Sequence, residues 1–192
     1  METGDRARGI ALLERGLQAL DSSSSRDAER YELLLHMAMA QRDENPPVAI
    51  SHYRKALALA VEPRLSLGAR LNLAALLMET AQLEEAITLT TEATRIAPEI
   101  ALTWYNLGLM QRRKGDIGAA IQAYAQALKL SPKQAECHQN MAVALLMGGD
   151  IEGARKGFFV AITLLNEQGR EAEANALFQQ VKDIVKLEEV TP

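Results

Sequence analysis

Apolar residues recur along almost the whole chain at steps of three and four, the period of a helix with one buried face. In residues 6–20 the stripe is Ile10, Leu13, Leu17 and Leu20, interleaved with Arg8, Glu14, Arg15 and Gln18. In 27–42 it is Tyr31, Leu34, Leu35, Met37 and Ala38. Between them Asp21 and the serines at 22–25 break the period. That run reads either as a loop ending in a Ser24-x-x-Asp27 helix start or as a phosphorylation target. Asn45-Pro46-Pro47 predicts a turn that seeds the next helix, because proline is tolerated in a first helical turn. The pattern continues to the C-terminal end and predicts about ten helices.

These helices come in pairs that repeat. The clearest stretch, 101–134, places Trp104, Leu107, Gly108, Ala120, Tyr124, Ala127 and Pro132 at fixed spacing. Leu73, Ala74, Ala86, Ile87, Ala93 and Pro98 lie 34 residues before Leu107, Gly108, Ala120, Ile121, Ala127 and Pro132. Arg70 stands for Trp104 and Thr90 for Tyr124 in that copy, which predicts a thinner core. After it, Met141, Ala142, Ala154, Phe158 and Ala161 fill the same slots. An earlier copy is degenerate, with Ala49, Ile50, Tyr53, Ala56 and Leu57 at the matching spacing. Gly108, Ala74, Ala142, Ala120 and Ala154 are small enough to let paired helices approach, and Tyr124 and Phe158 fill the remaining gap. Asp116 and Asp150 each follow a glycine and are expected to cap second helices. Gly169 ends the array. The last helix carries Ala174, Leu177, Phe178, Val181, Ile184 and Val185 in one stripe.

The pattern W…LG…A…Y…A…P at this period resembles the tetratricopeptide repeat. The slot that departs is the aromatic three residues after the glycine, here Gln111. The resemblance implies an all-α fold, a right-handed superhelical solenoid of antiparallel helix pairs. One such domain is expected over 1–192. Its parts are an N-terminal helix and serine-rich loop at 6–25, a degenerate repeat at 30–63, repeats at 67–100, 101–134 and 135–168, and a capping helix at 170–188. Each repeat buries its apolar faces only against neighbours, so the ends need caps. The family uses the groove lined by first helices to bind extended or helical peptides.

Composition narrows the function without naming it. Apolar residues are 48% and charged residues 24%, ordinary for a folded protein. A net charge of −4 gives no basic field for phosphate backbones, so nucleic acid is not an expected partner. One cysteine, Cys137, suits a reducing compartment, and no stretch is long and apolar enough for a membrane span. We therefore expect a cytoplasmic protein. His36, His52 and His138 are scattered, and the sequential Cys137-His138 point to different helix faces. His138 occupies the Trp104 slot and reads as a packing residue. Gly148-Gly149-Asp150 is a turn without the Lys-Ser/Thr of a phosphate loop. Glu84-Glu85 and Glu188-Glu189 read as solvated charge. No enzyme, metal or cofactor is expected.

The candidate binding residues lie on the first-helix face that repeat packing does not use. In the third repeat these are Tyr105, Asn106, Leu109, Arg112 and Arg113, beside Leu102; one repeat earlier, Leu71, Asn72 and Met78; one later, Gln139, Asn140, Val143 and Leu146. Two readings stand, a peptide groove or a face covered by the C-terminal helix or a second copy. Asn72, Asn106 and Asn140 recur every 34 residues. An amide donates and accepts, so a row of them can pair with successive peptide groups. The row is similar to the asparagine ladder of the tetratricopeptide superhelix in O-GlcNAc transferase, which holds peptide backbones irrespective of sequence; the alternative is that asparagine is simply common at this slot. The carboxylate clamp of heat-shock co-chaperones does not transfer: the matching slots hold Leu71, Ala75, Asn106, Glu136 and Asn140, and only the middle asparagine agrees. Arg112-Arg113-Lys114 complements a helix dipole or anchors an acidic ligand. The resemblance implies an adaptor, co-chaperone or assembly factor that binds a segment of another protein. A homodimeric scaffold is the alternative.

Overall fold

Ten α-helices and no strand make up the described residues of this computed structural model, which are 2–20, 26–60 and 62–185; side chains are described for 6–20, 26–60 and 62–183. The helices are α1 (Glu2–Ala19), α2 (Asp27–Gln41), α3 (Pro46–Leu59), α4 (Leu67–Glu79), α5 (Leu83–Ile96), α6 (Ala101–Lys114), α7 (Ile117–Leu130), α8 (Ala135–Met147), α9 (Ile151–Glu167) and α10 (Glu171–Val185). The serines at 22–25, Glu188-Glu189 and the side chains of Ile184 and Val185 lie outside the described residues. The chain divides into two compact units, 1–97 and 98–192.

In the first unit α1 lies against α2, and its predicted stripe Ile10, Leu13, Leu17 and Leu20 is half-buried. Arg6 donates from Nε and Nη2 to the Ala40 carbonyl and pairs with Glu44, placing a cation at the C-terminal end of α2. The pairs α2/α3 and α4/α5 are each joined by a short turn. Leu34, Met37 and Ala38 meet Ala49, Ile50, Tyr53 and Ala56 in the first; Leu73, Ala74 and Leu77 meet Ala86, Thr90 and Ala93 in the second, all buried. Asn45 seeds α3 by accepting from the Val48 amide at 3.4 Å, with Pro46 and Pro47 in the first turn. Thr90 leaves no orphan hydroxyl in the second pair, because its Oγ1 donates to the Ala86 carbonyl at 2.8 Å. Arg70 stays at the rim, paired with Glu92.

The second unit holds α6/α7, α8/α9 and α10. Tyr124 and Phe158 are fully buried at the centres of the two pairs, as their slots predict. A Cβ built on Gly108 would stand 2.5 and 2.6 Å from ring atoms of Tyr124, so the α6/α7 approach requires glycine there. Ala142 plays the same part against Gly157, where a Cβ would come within 2.9 Å of the alanine methyl. The C-terminal helix packs Ala174, Leu177 and Val181 into one cluster with Phe158, Ala161, Leu164 and Leu165. Phe178 is only half-buried and stands outside that cluster. Arg170 joins α8 to α10 by pairing with Glu136 and Glu173.

Two local devices recur. The fourth position of the first helix ties its side-chain N–H to the loop before it. Trp104 Nε1 donates to the Pro98 carbonyl at 2.9 Å, and His138 Nε2 reaches the Pro132 carbonyl at the same distance. Arg70 does this by relay, with Nε donating to Ser66 Oγ and that hydroxyl donating to the Pro63 carbonyl. The turns between paired helices also repeat. Gly115 and Gly149 take left-handed φ of 89° and 86°, and Asp116 and Asp150 then cap α7 and α9 at 3.0 and 2.8 Å. In the α4–α5 turn the corresponding residues are Ala81, left-handed at φ 62°, and Gln82, which makes no side-chain cap. An alanine pays for that conformation in Cβ strain, and an uncapped start leaves helix amides unserved. Ala81→Gly with Gln82→Asp is therefore expected to raise stability by about 1–2 kcal/mol in urea unfolding. A fall in stability would mean the turn changes conformation on substitution.

Candidate functional site

The side chains singled out by sequence sort into two groups, one in each unit. On α4, Leu71 and Met78 are half-buried and Asn72 is exposed. Burial raises the Tyr53 phenol above its usual range, while Arg42 and a hydrogen bond from Asn72 work against the rise. Asn72 therefore serves the tyrosine of the preceding helix as well as facing solvent. Arg42 in turn donates to Glu79 at 2.7 Å.

On α6 and α8 the grouping is tighter. Tyr105, Asn106, Leu109 and Arg112 are half-buried and Arg113 is exposed; Gln139, Asn140, Val143 and Leu146 are half-buried. Tyr105 and Leu109 pack against the buried cluster of Ala120, Tyr124, Ala127, Cys137 and Ala144. Val143 and Leu146 pack against the Phe158 cluster. Much of their apolar surface thus already serves the fold. The apolar side chains left open on these helices are Leu102 and Met147, 50% and 56% exposed.

Three polar groups meet between the two helices. Asn140 Nδ2 donates to the Tyr105 hydroxyl at 3.0 Å and to the Glu136 carbonyl at 2.9 Å. Its Oδ1 accepts from Arg112 Nη2 at 3.4 Å, a long bond. Behind them the Tyr105 and Tyr124 rings lie 6.1 Å apart, inclined at 50°. Burial pushes the Tyr124 phenol up to about 12, with Arg112 opposing. Yet the Tyr124 hydroxyl and Arg112 Nε are both buried and complete no hydrogen bond. Tyr105 is likewise raised by burial, its bond to Asn140 opposing.

The asparagines of the 34-residue row are therefore unequal. Asn140 is committed within the chain, Asn72 is exposed beside Tyr53, and Asn106 is half-buried outside the network. The counterparts of Tyr105 and Arg112 one repeat before are Leu71 and Met78, whose side chains carry no N–H or O–H. Sequence reading missed the third position of each first helix, where Ala69, Thr103 and Cys137 are buried. The signal was present, three small residues 34 apart. Thr103 turns its hydroxyl to the Ile100 carbonyl, and Cys137 lies 3.7 Å from the Tyr124 carbonyl. Burial pushes the Cys137 thiol up to about 12, leaving it protonated and unreactive at neutral pH. Among the described residues no cluster of three or more His, Cys, Asp or Glu side chains could hold a metal, and no helix is long and apolar enough to cross a membrane.

Comparison with known proteins gives the same fold. The tetratricopeptide repeat model matches residues 101–134. No curated protein matches the chain by sequence. A crystal structure of MamA is similar over 88% of this chain and 94% of its own, at 22% identity and a TM-score of 0.75. MamA from Desulfovibrio magneticus RS-1, residues 41 to the end, aligns over 87% of this chain and 89% of its own, at 20% identity and a TM-score of 0.74. PilF of Pseudomonas aeruginosa aligns over 97% and 87%, at 21% identity and a TM-score of 0.66.

Proposed function

We propose that this tetratricopeptide-repeat protein is a non-catalytic, cytoplasmic interaction module that binds a segment of a partner protein along its first-helix faces. In this reading it acts as an adaptor, co-chaperone or assembly factor. The observation that carries it is the α6–α8 face, where Tyr105, Asn140 and Arg112 hold one another in place and Leu102 and Met147 stay open nearby. Positioned polar groups beside exposed apolar ones are what a peptide needs for orientation and for affinity. The homodimer reading draws on Phe159 and Val160, 45% and 37% exposed on α9.

Selection of a displayed dodecamer peptide library on the full chain, followed by calorimetric titration of the enriched peptides, tests this. Light scattering on the same sample separates a monomeric binder from a dimer. If the asparagines read peptide backbone, each contributes about 0.5–1.5 kcal/mol. Replacing Asn72, Asn106 and Asn140 together with alanine then weakens binding by roughly 10- to 2,000-fold. The single changes divide further: Asn106→Ala leaves the thermal melt unaltered, whereas Asn140→Ala and, through its bond to the buried Tyr53 phenol, Asn72→Ala lower it because intrachain bonds are lost. Full affinity in the triple variant would remove the asparagines from the binding surface.

A further inference from the structure

Half-buried arginines on or next to other helices have carboxylate partners. Arg30 pairs with Asp27, Arg42 with Glu79, Arg70 with Glu92, and Arg170, just before α10, with Glu136 and Glu173. Arg112 departs from this. Its polar neighbours are neutral, Asn140 through the 3.4 Å bond and the Tyr124 hydroxyl, and among the described residues no carboxylate reaches it. Its buried Nε and the buried Tyr124 hydroxyl beside it complete no hydrogen bond of normal geometry, although Arg112 acts on the phenol electrostatically. A guanidinium taken partly out of water without a counter-charge is a standing cost, lowered when an anion meets its accessible edge.

We infer that Arg112, flanked by Arg113 and braced by Asn140 and Tyr105, receives a carboxylate side chain of the bound protein segment. This deepens the peptide-binding reading and rests on it. The chemistry called for is an aspartate or glutamate presented from an extended or helical segment. A planar carboxylate can take two parallel N–H bonds from a guanidinium, which a single amide acceptor cannot offer. Asn140, itself held by the Tyr105 hydroxyl, serves as the positioning residue: by accepting from Nη2 it fixes the direction in which the free edge of the guanidinium points. The site lies at the C-terminal end of α6, where the helix macrodipole makes the local field negative and Arg113 offsets it.

The experiment uses the full chain and a displayed random dodecamer library selected in parallel on the natural protein, Arg112→Gln and Arg112→Glu. The natural protein should enrich an acidic residue at one position. Arg112→Gln should lose that preference while still selecting peptides, and Arg112→Glu should replace it with lysine or arginine. In titrations of one enriched peptide, changing the acid to its amide should cost the natural protein about tenfold or more in affinity, and Arg112→Gln about twofold or less. Peptides enriched without an acidic position, or with the same acidic position in all three proteins, overturn the carboxylate site and leave the binding reading standing. Failure of the natural protein to enrich any peptide overturns both. The Arg112→Glu arm reports a gained preference, so a loss of folding in Arg112→Gln does not imitate the expected result.

Discussion

Gly108→Ala lowers the stability of the α6/α7 pair by about 1–3 kcal/mol in urea unfolding, although helix propensity alone would raise it by about 1. The sign is decided by the ring of Tyr124. A methyl group at residue 108 would lie 2.5 Å from one ring carbon and 2.6 Å from the next, far inside van der Waals contact. Relief requires the ring to move, and it is fully buried among Ala120, Ala127, Cys137 and Ala144. Cores of this density transmit such a push to the backbone. The paired variant Gly108→Ala/Tyr124→Leu should recover part of the loss, because the smaller side chain vacates the space. A Gly108→Ala protein as stable as the natural one would show that the helices separate freely, and that close approach is not what holds the repeat.

Removal of everything after Gly169 is the second large change, with an expected fall in melting temperature of several degrees and a shift to soluble oligomers. Ala174, Leu177 and Val181 cover Phe158, Leu164 and Leu165, and a solenoid end stripped of its cover presents that apolar face to other molecules. The same dependence should appear in the intact chain as a cost of about 2–5 kcal/mol for Leu177→Ala. Size-exclusion chromatography with light scattering, beside a thermal melt, checks both variants. A monodisperse, equally stable 1–169 protein would demote α10 to an appendage. The ion pairs at the base of α10 add a pH signature. Bonding to Arg170 holds the Glu136 and Glu173 carboxyls below their usual range. Their contribution is thus complete above the unfolded glutamate value of about 4.3 and is lost as pH falls below it.

What could be read from sequence was whatever a residue does within its own turn or against the helix paired with it. Asp116 and Asp150 cap where they were expected to, and Gly108, Tyr124, Ala142 and Phe158 occupy the core as their slots require. His138 behaves as a structural substitute for Trp104. Legibility ended where a long side chain reaches across repeats. Arg112 and Asn140 are 28 residues apart, and nothing in helical periodicity says that an arginine at the end of one first helix will meet an amide in the middle of the next. For that reason the asparagine row looked uniform in sequence and is not. The apolar members of the candidate face were overread in the same way, since Leu109, Val143 and Leu146 spend part of their surface on the core. The left-handed Ala81 was hidden because alanine is the residue least suggestive of a turn.

The tie between the first helix and its preceding loop changes what counts as a conservative replacement in this repeat. Arg70, Trp104 and His138 sit at opposite ends of any hydrophobicity ranking, yet each commits a nitrogen-borne proton toward the carbonyl of a loop proline, directly or through Ser66. Measured by volume or polarity, tryptophan to phenylalanine is the mild exchange and tryptophan to histidine the drastic one. Measured by donor, the order reverses: phenylalanine keeps the bulk and drops the proton, while histidine in its Nε2–H tautomer keeps the proton at the same 2.9 Å reach. A substitution table built for this position would group its residues by the hydrogen they offer and not by the space they fill.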